Sequence, residues 1–229
     1  MALATHATSS QSDPGLDRER FRALWKRCAG GATGSDGSEV FERLLERYRE
    51  PHRCYHTPDH IRHCLEQFDL ARGDLHDPDA VELALWFHDA IYETPGPDNE
   101  LRSAEWFTSV ARSDLDSALC EHVYAMIMVT VHPSQPVDAD ERIVVDIDLS
   151  SFALPWERFK RDSEAVRREM QHMTDDEFFS GQIRFLETLL NRGSFFCSPF
   201  FKRHSEAAAR DNVTRYLSEL RERGFSATP

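Results

Sequence analysis

Eleven histidines fall in a chain of 229 residues, and they cluster. His52, His56, His60 and His63 lie close together, and the last three recur at i, i+4 and i+7, one face of a helix. His88-Asp89 closes a strongly apolar run, ALWFHDAIY, and Asp146-Ile-Asp148 sits inside another, IVVDIDLSSF. Charge in an apolar stretch costs free energy unless something compensates it. A divalent cation is one compensator, and neutral imidazole with a compact carboxylate suits borderline transition metals. A buried polar network without an ion is the competing assignment. For His52, His63, His76, His122, His172 and His204, a partly exposed or hydrogen-bonded ring is the simpler expectation.

The elements that must hold these residues read as helices. Phe21, Leu24 and Trp25 mark one helix; Phe41, Leu44, Leu45 and Tyr48 mark another, ended before Pro51. Thr57-Pro58 reads as an N-cap with proline at the first helical position, opening a helix through Ala71. Asp77-Pro78 repeats that signal and opens a helix carrying Val81, Leu85, His88 and Ile91. Further helices are expected over Glu100 to Arg112, Leu119 to Val131, and around Ile143 and Ile147. Thr174-Asp-Asp-Glu177 is a capping-box pattern for a helix reaching Leu190, and a last helix should run from Pro199 to Leu220. No segment alternates as a strand would. The expectation is an all-α, single-domain helical bundle of nine or ten helices: a loose, Ser/Thr/Ala-rich tail at 1–15, then one domain over 16–225, with a flexible loop at Gly30–Gly37.

Composition narrows the function. Acids number 40 and bases 27, a formal charge of −13, which argues against a nucleic-acid duplex as partner. No run approaches the roughly 18 apolar residues of a spanning helix, so no membrane role is expected. Five cysteines, Cys28, Cys54, Cys64, Cys120 and Cys197, are widely and irregularly spaced, which suits free thiols in a cytoplasmic protein better than a disulfide framework. Oligomerisation is left open; the pairs Phe195-Phe196 and Phe200-Phe201 read as core or loop anchors.

The order His60, His88-Asp89, Asp148 resembles the H…HD…D signature of the HD superfamily of metal-dependent phosphohydrolases. The blocks Tyr55-His56-Thr-Pro-Asp-His60-Ile61, Phe87-His88-Asp89-Ala-Ile-Tyr92, Asn99-Glu100-Leu-Arg-Ser103-Ala104 and Asp146-Ile-Asp148-Leu149-Ser150 resemble more narrowly a bacterial branch of small HD hydrolases, over roughly residues 20–220. The resemblance implies an all-helical HD-type bundle with His60, His88, Asp89 and Asp148 as ligands of a divalent cation: Mn, Fe, Co, Ni, Zn or Mg. Asp146 is the alternative to Asp148, or an acceptor behind the ligands.

The implied chemistry is metal-assisted hydrolysis of a small phosphorylated substrate, a nucleotide or another phosphate ester. Asp89 would bind the metal and could orient or deprotonate water. A second acid–base group is sought among Glu100, His132 and His56; the plainer roles are a first-turn acid for Glu100, a helix terminator for His132 and packing for Tyr55 and His56. Arg102, Lys160, Arg161, Arg167, Arg168 and Arg184 are candidate phosphate clamps. Glu206-Ala-Ala-Ala-Arg210-Asp-Asn212 is given only a packing role. Two other functions compete: a non-catalytic metal- or nucleotide-binding regulatory module, and a di-iron HD protein using oxygen, for which His56, Glu100, His122 or His132 would supply extra ligands.

Overall fold

The computed structural model of the protein describes residues 16–30, 35–132 and 136–227. The expected tail at 1–15 and the middle of the glycine-rich loop lie outside them. Eleven α-helices and three short 3-10 turns make up the described secondary structure, with no strand among the described residues. The helices are α1 (Arg18–Cys28), α2 (Ser38–Tyr48), α3 (Pro58–Ala71), α4 (Pro78–Phe87), α5 (Asn99–Ala111), α6 (Ser117–Met128), α7 (Ala139–Asp148), α8 (Trp156–Glu169), α9 (Asp175–Asn191), α10 (Pro199–His204) and α11 (Glu206–Glu222).

Start signals in the sequence act as local chemistry dictates. Thr57 accepts from the Asp59 backbone N–H and Asp77 from that of Ala80, with Pro58 and Pro78 next in line, where a missing N–H costs nothing. Thr174 and Glu177 form a reciprocal capping box at the start of α9. Gly37 caps α2 at φ 73°, and a Cβ there would lie 2.6 Å from Trp25 Cγ, so both the left-handed backbone and the close approach require glycine.

Helix α4 is the hub. Every side chain from Ala80 to Phe87 is buried, and α4 packs against α1, α3, α6 and α7. A helix that is apolar all round belongs inside a bundle. Its one buried acid, Glu82, receives Arg20 Nε at 2.7 Å. Phe21, Trp25, Phe41, Trp86 and Phe87 form the aromatic centre beneath it, Phe21 meeting Trp86 edge-on at 5.2 Å.

Three expectations are corrected. The α4 helix stops at Phe87, so His88 caps it and Ile91 lies beyond. The last helix is broken at Ser205 into α10 and α11. A further helix, α8, is absent from the expected elements, although Phe159, Ser163 and Val166 fall at i, i+4 and i+7 behind Pro155; nine of the fourteen residues of WERFKRDSEAVRRE are charged, and they mask that short stripe.

Candidate metal centre

His60 lies in the first turn of α3, His88 and Asp89 follow the end of α4, and Asp148 is the last residue of α7. These three helices pack on one another, so the four side chains converge. His60 Nε2 lies 3.2 Å from His88 Nε2 and 3.3 Å from Asp89 Oδ2; His88 Nε2 lies 2.9 Å from that same oxygen. Asp148 Oδ1 stands 3.6 Å from His60 Nε2 and 3.7 Å from His88 Nε2. Donors about 2.1 Å from a shared ion sit roughly 3.0–3.4 Å from one another in tetrahedral or octahedral shells. The spacings here, 2.9–3.7 Å, bracket that range, and the cluster could hold a metal ion.

The helix end explains how adjacent residues share one centre. Within a helix, His88 and Asp89 would point about 100° apart. Because α4 has ended, Asp89 is free of the helical repeat. Arg53 pins this turn: its guanidinium, buried between Tyr48 and Tyr92, donates to Asp89 O at 2.7 Å and Ala90 O at 3.0 Å. His88 Nδ1 donates to Leu85 O at 3.0 Å, leaving Nε2 turned toward the cluster. A carbonyl on the far nitrogen is how metal-binding histidines are commonly oriented.

Burial opposes charge on His60 and His88, yet Cys64, Tyr55 and the two carboxylates push His60, and Asp89 and Asp148 push His88, well above the ordinary histidine value. Burial likewise opposes charge on Asp89 and Asp148, and the imidazoles hold both well below the usual carboxylate range. The set therefore keeps its carboxylates ionised, and a cation binding there would displace the imidazole protons.

A second group of donors shares two members. Cys64, one turn after His60 on α3, brings Sγ within 3.7 Å of His60 Nε2, and it groups with His60 and His88. Cys64 is thus more than one of five scattered free thiols, and its i+4 spacing from His60 is the signal in the sequence.

Around the centre, His132 turns Nε2 to Asp148 Oδ2 at 3.3 Å from a left-handed backbone, φ 55°, at the end of the 3-10 turn Val129–Val131. His56 Nε2 lies 4.0 Å from Asp89 Oδ2, with its ring stacked on Tyr92. Its Nδ1 donates to Glu169 Oε2 at 2.7 Å, while Glu169 Oε1 accepts from the backbone N–H groups of Cys54, Tyr55 and His56. Burial resists the Glu169 charge, but these donors bring it down to about 2. Neither Glu169 nor Arg53 was singled out from the sequence: they lie far from the motifs they support, 113 residues away in the case of Glu169 and His56.

Glu100, in the first turn of α5, is half-buried and faces the same cavity as Asp89, His132 and Asp148. Burial, with the nearby acids Asp89 and Asp148, raises its carboxyl above the ordinary glutamate value. Asp146 is fully buried and turned to the other side of α7, where it accepts from Cys197 N at 2.7 Å and Ser198 N at 2.6 Å. Burial pushes it up to about 6 against those donors.

The cavity above Asp89 and Asp148 has a volume of about 450 Å³. None of the six candidate phosphate clamps is among its described lining residues. Arg102 pairs with Glu93, Lys160 with Glu219 and Arg167 with Asp175, while Arg161 and Arg168 border a separate cleft behind His60. His122 faces Asp77 at 3.5 Å, away from the centre. Among the described residues, His56, His132 and Glu100 join neither cluster of close donors.

No family model, curated protein or solved structure matches the chain. What is on hand is an all-helical protein with one candidate metal centre at the floor of a cavity. No helix of the described residues is long and apolar enough to cross a membrane.

Proposed function

We propose that the protein is a metal-dependent hydrolase of a small phosphate ester, an HD-type phosphohydrolase in the sense of the sequence blocks. The observation that carries this reading is the convergence of two imidazoles and two carboxylates, of which Asp89 and Asp148 line an open cavity. His60, His88, Asp89 and Asp148 would hold the ion, which when bound supplies Lewis acidity toward a phosphoryl oxygen and toward water.

The chain's own residues supply the rest. Asp89 accepts a proton from the attacking water and orients it, its backbone held by Arg53. Glu100, whose carboxyl is raised above the ordinary glutamate value by burial beside two acids, would donate to the leaving oxygen. His132 steadies Asp148 through its Nε2 contact. Among the described residues there is one close group of His and Asp donors, which favours one ion over the di-iron alternative.

The test is phosphate release by purified protein with Mn²⁺ across a panel of nucleotides and simple monoesters. Wild type should turn over at least one class, and Asp89→Ala should lose about 10³-fold or more in kcat. Tight ligand binding without product over hours would instead favour the regulatory module.

A further inference from the structure

The cavity has an acidic floor and apolar walls. Four carboxylates line it, from Asp89, Glu100, Asp148 and Asp162, and no lysine or arginine does so among the described residues. Phe159, Val166 and Met170 present one face of α8 and its end, and Phe178 and Phe185 one face of α9, across the space. The wall's hydroxyls are already committed: Ser163 Oγ donates to Phe159 O, Thr130 Oγ to Ile127 O, and Ser151 Oγ meets the Tyr55 hydroxyl at 2.8 Å. The other neutral polar side chains on the lining are Gln182, Tyr92, His56 and His132, a small share of a mostly apolar wall. A polyphosphate would enter against four acids, and one divalent ion offsets only part of that repulsion.

We infer that the substrate carries one small anionic head on an uncharged, mainly apolar body, an aryl or branched-alkyl group, and is not a nucleoside polyphosphate. The head rests on the hydrolase reading above; the body rests on the walls alone. About 450 Å³ suits a ligand of ordinary drug size. Phe185, 39% exposed, stands at the rim 6.4 Å from the His132 ring, so the apolar surface continues to the opening. Partly wet apolar side chains in a concave site gain free energy when an apolar ligand covers them.

Titration calorimetry on Mn²⁺-loaded full-length protein tests this with two non-hydrolysable probes, 1-naphthylmethylphosphonate and a methylene-bridged ATP analogue. The aryl phosphonate should bind about tenfold or more tighter, the worth of burying an aromatic ring. A Cβ on Gly181 would come no closer than 3.9 Å to any neighbour, to Arg184 Nη2, so Gly181→Leu narrows the cavity without a backbone clash. That variant should weaken the aryl probe about tenfold with Mn²⁺ affinity unchanged. Met170→Phe, which adds bulk on the facing wall, should act in the same direction. Gln182→Arg should narrow the gap between the probes. Equal or tighter binding of the ATP analogue, or an aryl affinity indifferent to both bulky variants, overturns the inference. Tight aryl-phosphonate binding with no hydrolysis of 1-naphthyl phosphate overturns the hydrolase reading and supports this one; efficient hydrolysis confined to nucleotides does the reverse.

Discussion

Glu169 lies beneath the loop that carries Tyr55 and His56, and its two oxygens satisfy three backbone N–H groups and one imidazole. Removing a buried acceptor leaves its donors without partners, and each such loss costs about 1–3 kcal/mol. Glu169→Ala should therefore destabilise the fold by about 3 kcal/mol or more in urea unfolding, and Glu169→Gln by less. His63, one turn along α3 from His60, offers a pH test. Its Nε2 meets Ser150 Oγ at 2.8 Å, and burial pushes it down to about 4. The folded state then binds fewer protons than the unfolded one between the ordinary histidine value and 4, so stability is full above about 6.5 and falls as pH drops toward 4. The loss should approach roughly 3 kcal/mol, and His63→Gln should flatten that slope in denaturation curves between those limits. A slope unchanged in the variant would show that other groups set it.

At the scale of elements, the end of α4 decides whether His88 and Asp89 can act together. Arg53 supplies the donors that the terminal carbonyls need, sandwiched between two tyrosine rings. Arg53→Met keeps much of the volume but strands the carbonyls of His56, Asp89 and Ala90. It should cost about 2–4 kcal/mol of stability and weaken Mn²⁺ binding about tenfold, read by denaturation and by metal titration; lost stability with unchanged metal affinity would remove Arg53 from the positioning of Asp89. The C-terminal segment does more than pack. Glu206 accepts from the N–H groups of Phe195 and Phe196, and Arg210 donates to Leu190 O and Arg192 O. Asn212 holds the carbonyls of Phe152 and Leu154, in and just after the 3-10 turn Leu149–Ala153 that follows Asp148.

For the molecule as a whole, the candidate metal cluster draws its side chains from α3, from the end of α4 and from α7, which pack on one another. A ligand that binds only the folded state stabilises it by mass action, about 2.7 kcal/mol at a hundredfold excess over Kd. Mn²⁺ should raise the melting temperature, a chelator should reverse the rise, and Asp148→Ala should abolish it while still folding. A melting temperature indifferent to divalent ions in wild type would count against the centre. The aromatic residues Phe195, Phe196 and Phe201 are buried within the chain, as the expectation of core or loop anchors has it.

Helix starts were readable because capping is local chemistry: Thr57-Pro58, Asp77-Pro78 and the Thr174–Glu177 box each act within four residues. So was the short list of ligand types, because charge inside ALWFHDAIY and IVVDIDLSSF has few affordable explanations. Which aspartate of Asp146-Ile-Asp148 faces the histidines was decided by the rotation of α7 against its neighbours, which puts one toward His60 and the other under Cys197 and Ser198. Glu169, Arg53 and the apolar walls of α8 and α9 emerged only from the tertiary structure. Their partners are distant in sequence, and no periodicity within one segment records what a side chain will meet on another.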